Sequence, residues 1–463
     1  MTSHKNTKHS QTSTSTKPST ANKTNKQGTS SISLKRLALK GSAWVLFGFA
    51  ISQLLRLGGN IILTRLLTPE AFGIMGIVAA LLIGLEMFSD VGLRPNIIQN
   101  KRGEDPAFIR TAWTIQILRG LILSLIAAIL AWPLAVINDE PTLVLITTVA
   151  GLTAIISGFN STWLLVYSRR MVLDKLVFLD LFCQFISLVV MIIWAWYFPS
   201  VWALILGSFV GSTLKLVGSH TVLSEVSMQF QWEKKAVSEL IRFGRWIFIG
   251  AALGFLVARL DIFVFGSFAG MTMLGVFVLA KTLSRLVTVA LMKLSSSVLL
   301  PVYSRLAERS TKELRNRTFK IRATLLACFL PMLWAVVLWG DYLIDFLYDE
   351  RYKDAGWMLQ LLAAGSTATA IIITIQPVLL AVGDSFRHMI KSAYQVVFQI
   401  LGMTIGAYLG GLPGFIAGMA LADLFTYPVI VYLIRPYGVW LPLLDVVAFG
   451  TSFVVIGMAW WMN

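Results

Sequence analysis

The chain contains few charged residues: only 13% of its 463 residues are Asp, Glu, Lys or Arg, whereas soluble domains carry about 25%. Hydrophobic residues make up 56%. This composition excludes an ordinary soluble protein and indicates a polytopic membrane protein. The two cysteines, Cys183 and Cys328, have no second Cys or His at metal-ligand spacing. We therefore interpret both as packing residues and expect no metal site.

Enzyme signatures are also lacking. The sequence contains no Walker A motif, no G-x-S-x-G, no H-E-x-x-H and no cluster of Cys and His. Its four histidines lie in the N-terminal segment or near the ends of apolar segments. The chain also lacks the large extramembrane loop that a membrane glycosyltransferase or polymerase would need. We expect neither catalysis nor a cofactor.

Residues 1–38 lack acidic side chains and have very few large apolar ones. Such a segment cannot bury enough surface to fold, so we predict a disordered tail. Its lysines and arginine favour a position near anionic lipid.

Apolar segments fill the rest of the chain. A bilayer requires about 20 apolar residues per helix. Thirteen candidates meet this criterion: 42–64, 72–92, 112–137, 143–166, 176–198, 201–223, 245–268, 273–300, 323–348, 356–381, 389–410, 413–434 and 440–462.

The positive charges orient these segments. If the N-terminus is cytoplasmic, 29 of the 39 lysines and arginines fall in cytoplasmic segments, and only Arg65, Arg351 and Lys353 fall outside. This imbalance predicts a cytoplasmic N-terminus. It also accounts for the net charge of +16 without a nucleic-acid partner. Residues 340–354 are predicted to form a short amphipathic helix on the outer surface.

An internal repeat relates the two halves of the chain. A shift of 202 residues aligns five identical pairs without a gap: Trp44 with Trp246, Gly48 with Gly250, Ala50 with Ala252, Leu54 with Leu256, and Gly73 with Gly275. Six spans separate the copies, so both halves have the same orientation and are related by an axis along the membrane normal.

The repeat predicts an all-α polytopic membrane protein with two six-helix bundles and a thirteenth helix. The expected divisions are the tail (1–38), an N-lobe (39–223), a cytoplasmic linker (224–244), a C-lobe (245–435) and the additional C-terminal helix (436–463). This layout is typical of alternating-access transporters.

Charged residues within the spans are the candidate functional residues, because each is costly in lipid. The deepest cations are Arg56, Arg259, Lys281 and Arg285, and the deepest acids are Glu86, Asp261 and Asp423. They form either a substrate or ion site or a structural network of ion pairs. Five others lie nearer the cytoplasmic ends and are interpreted as snorkelling: Asp90, Asp180, Asp445, Lys215 and Lys293.

Two stretches, "LTRLLTPEAFGIMGI" (63–77) and "FSDVGLRPNIIQNK" (88–101), resemble the Wzx-type oligosaccharide-lipid flippases. These are polysaccharide exporters of the MOP (multidrug, oligosaccharidyl-lipid, polysaccharide) superfamily. The residues that match the family pattern are Arg65, Leu66, Leu67, Phe72, Gly73, Asp90, Gly92 and Leu93.

The resemblance implies two lobes arranged as a V around a central cavity. It implies a substrate too, an oligosaccharide on undecaprenyl diphosphate that moves from the cytoplasmic to the outer leaflet. A polysaccharide polymerase and a chain-length regulator are the implied protein partners.

The resemblance also guides the choice of site residues. Related lipid-carrier flippases line the cavity with arginines of the first, second and eighth helices. Arg56 and Arg285 fall on the first and eighth spans here, whereas the second span carries Glu86. We predict that Arg56, Arg259, Lys281 and Arg285 bind the diphosphate. Glu86, Asp261 and Asp423 are then coupling sites or counter-ions.

An alternative on the same fold is an ion-coupled multidrug or small-solute antiporter, although four central cations suit a cationic drug poorly. A third is an accessory subunit of a polysaccharide machine.

Overall fold

A computed structural model describes residues 24–89, 93–100, 102–223, 225, 227–304 and 311–462. Within these ranges the chain forms helices and short 3-10 turns, and no strand. Two of the motif residues, Asp90 and Gly92, lie outside the described residues, as do residues 1–23 of the expected tail.

The described residues of the N-lobe form eight helices: α1 Thr24–Leu66, α2 Pro69–Phe88, α3 Leu93–Gln99, α4 Pro106–Ile137, α5 Thr142–Gly158, α6 Trp163–Arg169, α7 Leu173–Tyr197 and α8 Trp202–Thr221. The fourth span is broken, because α5 and α6 are bent by 61° at residues 159–162. Helix α1 begins at Thr24, so residues 24–38 are helical instead of part of a disordered tail. Polar residues can extend a helix that an adjacent apolar span has nucleated.

The C-lobe and the C-terminal helix contain six helices: α9 Lys234–Ser304, α10 Thr311–Leu347, α11 Ala355–Ile375, α12 Pro377–Ala381, α13 Ser385–Ile434 and α14 Pro442–Met462. Because α9 begins at Lys234, the second half of the expected linker 224–244 is helical. In the expected outer loop, α10 continues to Leu347 with a break at Trp339 and is followed by a 3-10 turn, Glu350–Tyr352.

Helix α9 is a hairpin of two arms that meet at Gly270, where φ is 78°. Phe265 and Phe277 stack with ring centroids 4.4 Å apart, although twelve residues of straight helix would span about 18 Å. Gly270 can adopt this left-handed conformation because it has no Cβ. The chain therefore reverses direction here.

Helix α13 reverses in the same way at Gly410 and Gly411. Glycines on the two arms face each other so closely that a Cβ at Gly406 would collide with the carbonyl oxygen of Gly414. Ten helices of the described chain are long and apolar enough to cross a membrane, and the bent pair α5–α6 makes eleven. Since α9 and α13 each contain two arms, the segments fall where the thirteen spans were predicted.

The two lobes meet at a crossing of α2 with the second arm of α9. A Cβ on Gly73 would collide with the carbonyl oxygen of Met271, and a Cβ on Gly275 would collide with that of Pro69. The two contacts interchange when each residue is shifted by 202 positions, as a two-fold axis requires. The crossing confirms the parallel repeat, and it lies at the predicted outer end of the molecule.

Polar contacts join the lobes at the same end. The guanidinium of Arg351 donates to the carbonyl oxygens of Thr64, at 2.9 Å, and Arg65, at 3.1 Å. The ring of Tyr352 packs edge-on against Phe72, with centroids 6.2 Å apart. The N-lobe and C-lobe are thus closed against each other at the predicted outer surface.

Candidate functional site

A cavity of about 310 Å³ lies inside the C-lobe, between the two arms of α9, α11 and the two arms of α13. Its charged and amide side chains are contributed by residues far apart in sequence: Asp261, Lys281, Arg285, Gln376, Lys391, Gln395, Gln399 and Asp423. Three of these are basic and two are acidic, so the cavity has a net positive charge.

Lys281 is neutralised within this cavity. Its ammonium forms an ion pair with Asp261 and donates to the carbonyl oxygen of Ala258 at 3.3 Å. Asp261 is fully buried, and its second oxygen has no partner among the described residues. Lys281 is thus committed to a counter-ion.

Arg285 has a different environment. It lines the cavity half-buried, and the described part of the chain contains no carboxylate within ion-pair distance of it. Arg259 is also half-buried, and the charges of Arg259 and Arg285 lie close enough to interact. Arg259 does not line the cavity, and Asp261 lies within electrostatic range of it as well. Among the described residues neither guanidinium forms an ion pair, and a guanidinium without a carboxylate partner is suited to an anion.

A chain of hydrogen bonds crosses the other side of the cavity. Lys391, only 5% exposed, donates to the amide oxygens of Gln395, at 2.7 Å, and Gln376, at 3.4 Å. Gln395 donates in turn to Asp423 at 2.8 Å, and the Thr369 hydroxyl donates to the other oxygen of Asp423. The glutamine thereby connects the buried ammonium of Lys391 to the half-buried carboxylate of Asp423.

Arg56 is not part of this arrangement. Its side chain is exposed on α1, which packs along α7 through a 2.6 Å hydrogen bond between Ser52 and Gln184. The structure brings Lys281 and Arg285 into one cavity with Arg259 beside it, but it does not add Arg56 to the lining of either described cavity.

A second cavity, of about 620 Å³, lies inside the N-lobe. Its place in the N-lobe is equivalent to that of the first cavity in the C-lobe. Glu86 and Met87 line the N-lobe cavity. Thr288 and Val289, which lie 202 residues later, line the C-lobe cavity. Glu86 therefore lies in the opposite lobe from the other two candidate acids.

Three functional or structural residues were missed by sequence reasoning. Lys391 was counted among the 29 cytoplasmic lysines and arginines, whereas α13 begins at Ser385 and carries Lys391 into the lobe. Asp445 does not snorkel: it is 1% exposed and pairs with Arg322 at 2.5 Å. The reason is that α14 packs on α10, which brings the two charges together inside the protein. Hydropathy gave no signal for this pairing.

Comparisons with known proteins give a consistent result. The profile of a family described as "Polysaccharide biosynthesis protein" matches residues 62–356. The succinoglycan biosynthesis transport protein ExoT of Rhizobium meliloti (strain 1021) is 21% identical over 70% of this chain. The match spans 65% of that relative, less than two thirds of its length.

Solved structures share the fold. The lipid II flippase MurJ in an inward closed conformation is 14% identical, with a TM-score of 0.65 over 88% of this chain and 91% of that one. A multidrug resistance MATE family transporter of the MOP superfamily, in an inward-facing conformation, is 15% identical, with a TM-score of 0.64 over 83% and 94%. Because the family profile covers more than half of the sequence, this chain belongs to the polysaccharide biosynthesis protein family.

Proposed function

We propose that this transporter flips an oligosaccharide linked to a polyprenyl diphosphate, of the undecaprenyl type, from the cytoplasmic to the outer leaflet of the bacterial inner membrane. The observation that carries the proposal is Arg285, a guanidinium without a carboxylate partner in the described part of the chain, which lines a cavity inside a membrane lobe. Arg259, on the other arm of α9, lies within electrostatic range of it.

The chemistry of the cargo fits this site. A diphosphate cannot cross hydrocarbon without partners, because an unpaired charge in a low-dielectric medium is prohibitively costly. A guanidinium binds two phosphate oxygens through parallel hydrogen bonds. Water in the empty cavity and phosphate in the loaded one offset the cost of burying Arg285 and Arg259.

Lys281 has a supporting role in this proposal. Asp261 balances its charge, so the empty cavity does not hold three uncompensated cations. The prenyl chain stays in the lipid, since a cavity of about 310 Å³ has room for a small headgroup only.

The test compares Arg285→Ala with Arg285→Lys in cells that lack the chromosomal copy. Arg285→Ala should abolish export and cause the lipid-linked intermediate to accumulate in the cytoplasmic leaflet. Arg285→Lys should retain part of the export, because a point charge still binds phosphate without the fork. Arg315→Ala, at an exposed arginine of α10, is the matched control and should export normally.

A drug or solute antiporter, the alternative on this fold, predicts a different result. Deletion would then leave the lipid-linked intermediate at its ordinary level, and Arg285→Ala would not change it. That result would overturn the proposal.

Energy coupling is a separate part of the proposal, and it concerns the candidate acids Glu86, Asp261 and Asp423. Asp423 is the best placed, because its hydrogen bonds with Gln395 and Thr369 connect it to the buried Lys391. Asp423→Asn should slow export at an unchanged protein level. Export at the wild-type rate would leave Asp423 with a structural role only.

A polymerase, a chain-length regulator and anionic lipid at the N-terminal tail remain predicted partners.

A further inference from the structure

The N-lobe cavity is twice the size of the C-lobe cavity and has a different lining. It lies between α2, α4, the broken span α5–α6, α7 and α8. Its charged and amide side chains are Glu86, Gln116, Arg119, Asn160, Asp180 and Lys215. At about 620 Å³ it is within the range of about 300–1,000 Å³ that is usual for small-molecule sites.

Its charges are balanced. Lys215 pairs with Asp180 at 2.8 Å. Arg119 donates to the Ser89 hydroxyl and to the backbone oxygen of Glu86, both at 2.8 Å, and the Glu86 carboxylate supplies the remaining negative charge. Two cations facing two acids produce no net attraction for a diphosphate, whereas the C-lobe cavity has an excess of basic groups.

The broken span directs neutral polar groups into this cavity. The amide of Gln116 donates to three carbonyl oxygens at the break, those of Ser157, Gly158 and Asn160, at 3.0–3.3 Å. These bonds fix the bend, because carbonyl groups that have left a helix need other donors inside a membrane. The bend in turn positions Asn160 and Ser157 in the cavity lining.

The side chain of Asn160 contains a hydrogen-bond acceptor without a donor. Its side-chain oxygen is buried and accepts no hydrogen bond among the described residues. A buried acceptor without a donor is destabilising, so such groups in native proteins call for an explanation. A sugar hydroxyl that displaces the groups covering this oxygen would provide the donor, and it could also accept hydrogen bonds from neighbouring groups.

We propose that the N-lobe cavity is the glycan subsite of the transporter: it binds sugar hydroxyls of the cargo through Asn160 and its polar neighbours, while the C-lobe cavity holds the diphosphate. The proposal rests on the proposed function. It assigns the two halves of one substrate to the two lobes, according to the balanced charge of one cavity and the excess positive charge of the other. It also explains why the larger cavity is the one whose charges are balanced.

The test uses two cargoes in proteoliposomes, a polyprenyl diphosphate with one sugar and the same lipid with a complete oligosaccharide. Ser157→Trp fills the cavity and Asn160→Leu removes its unpartnered acceptor. Each should slow flipping of the complete cargo about tenfold, which corresponds to roughly one lost hydrogen bond. The single-sugar cargo should move at the wild-type rate within about twofold, and its movement shows that the variants are folded. Leu152→Trp, at an exposed site on the same helix, is the control and should flip both cargoes normally.

The outcomes separate the two proposals. If the wild-type protein moves neither lipid, the proposed function fails. If the wild type moves both, but Ser157→Trp and Asn160→Leu slow both cargoes equally or slow neither, the glycan subsite is refuted while the flippase stands. Arg285→Ala should abolish the flipping of both cargoes, because both contain the diphosphate.

Discussion

Arg351 is expected to hold the transporter closed at its predicted outer end. It belongs to the C-lobe, yet its guanidinium donates to the carbonyl oxygens of Thr64 and Arg65 at the end of α1 in the N-lobe. Asp349 orients it through an ion pair of 2.5 Å. Opening the outer end would separate these groups, so Arg351→Ala should favour the outward-open state.

The size of the effect follows from the contacts. Hydrogen bonds from a charged donor contribute about 1.5–3 kcal/mol each when buried, but the Arg351 side chain is 42% exposed. Because solvent screens the exposed part of the side chain, the contribution of these hydrogen bonds is smaller than that. The Arg351 cation also lies at the C-terminus of α1, which contributes about 0.3–1 kcal/mol. We expect a total of about 2 kcal/mol. This would change the ratio of closed to open molecules about thirtyfold.

The assay measures the distance between the lobes by double electron–electron resonance. Spin labels are attached at Thr142→Cys and Asp345→Cys, both at exposed positions, in a background without Cys183 and Cys328. Arg351→Ala should move much of the distribution to longer distances, and Lys353→Ala, a nearby exposed lysine, should not. An unchanged distribution in Arg351→Ala would refute the reasoning.

The pH dependence of this contact has a definite sign. The Arg351 guanidinium holds the pKa of the Asp349 carboxyl below its ordinary value, through their hydrogen bond first. The stabilisation is therefore complete at neutral pH. It is lost only as the pH falls through the lowered pKa of Asp349.

Three further predictions concern the lobe contact, the C-terminal helix and the topology. Gly275→Val should prevent closure at the outer end, because even a Cβ would collide with the backbone oxygen of Pro69; transport should be lost, with the same spin labels far apart. Arg322→Leu should lower the free energy of unfolding by about 3–5 kcal/mol, because it leaves Asp445 buried without its cation, and Arg322→Leu with Asp445→Leu should recover most of the loss in thermal unfolding. Single cysteines at Ser30 and Asp345 should react with impermeant thiol reagents from opposite sides of the membrane, and reaction of both from one side would contradict the orientation.

The fold could be predicted because it is set by patterns along the sequence. Apolar segments of bilayer length gave the spans, and the identity of Gly73 with Gly275 marked the crossing where the lobes meet. The boundaries of the tail and the linker were less accurate, since polar residues at the start of α1 and α9 continue helices whose apolar parts lie elsewhere. Composition distinguishes apolar from polar segments better than helix from coil.

The site could be predicted only in part, because hydropathy describes each segment alone. Arg285 and Lys281 lie one turn apart on one arm, and their shared face was evident. Arg322 and Asp445, by contrast, are 123 residues apart, and only the packing of α14 against α10 makes them partners. Lys391 was overlooked for a similar reason: nothing in its own segment shows that Gln376 and Gln395 surround it.

The charges of the α9 hairpin can now be assigned separately. Arg259 and Asp261 are two residues apart and so point to different faces of the first arm. Asp261 pairs with Lys281 on the second arm, whereas Arg259 forms no ion pair among the described residues and lies within electrostatic range of Arg285 and Asp261. A buried ion pair is a weak source of stability compared with apolar packing. Under the proposed function, the Lys281–Asp261 pair acts through the charge of the cavity: it cancels one positive charge and leaves Arg285 and Arg259 for the two charges of a diphosphate.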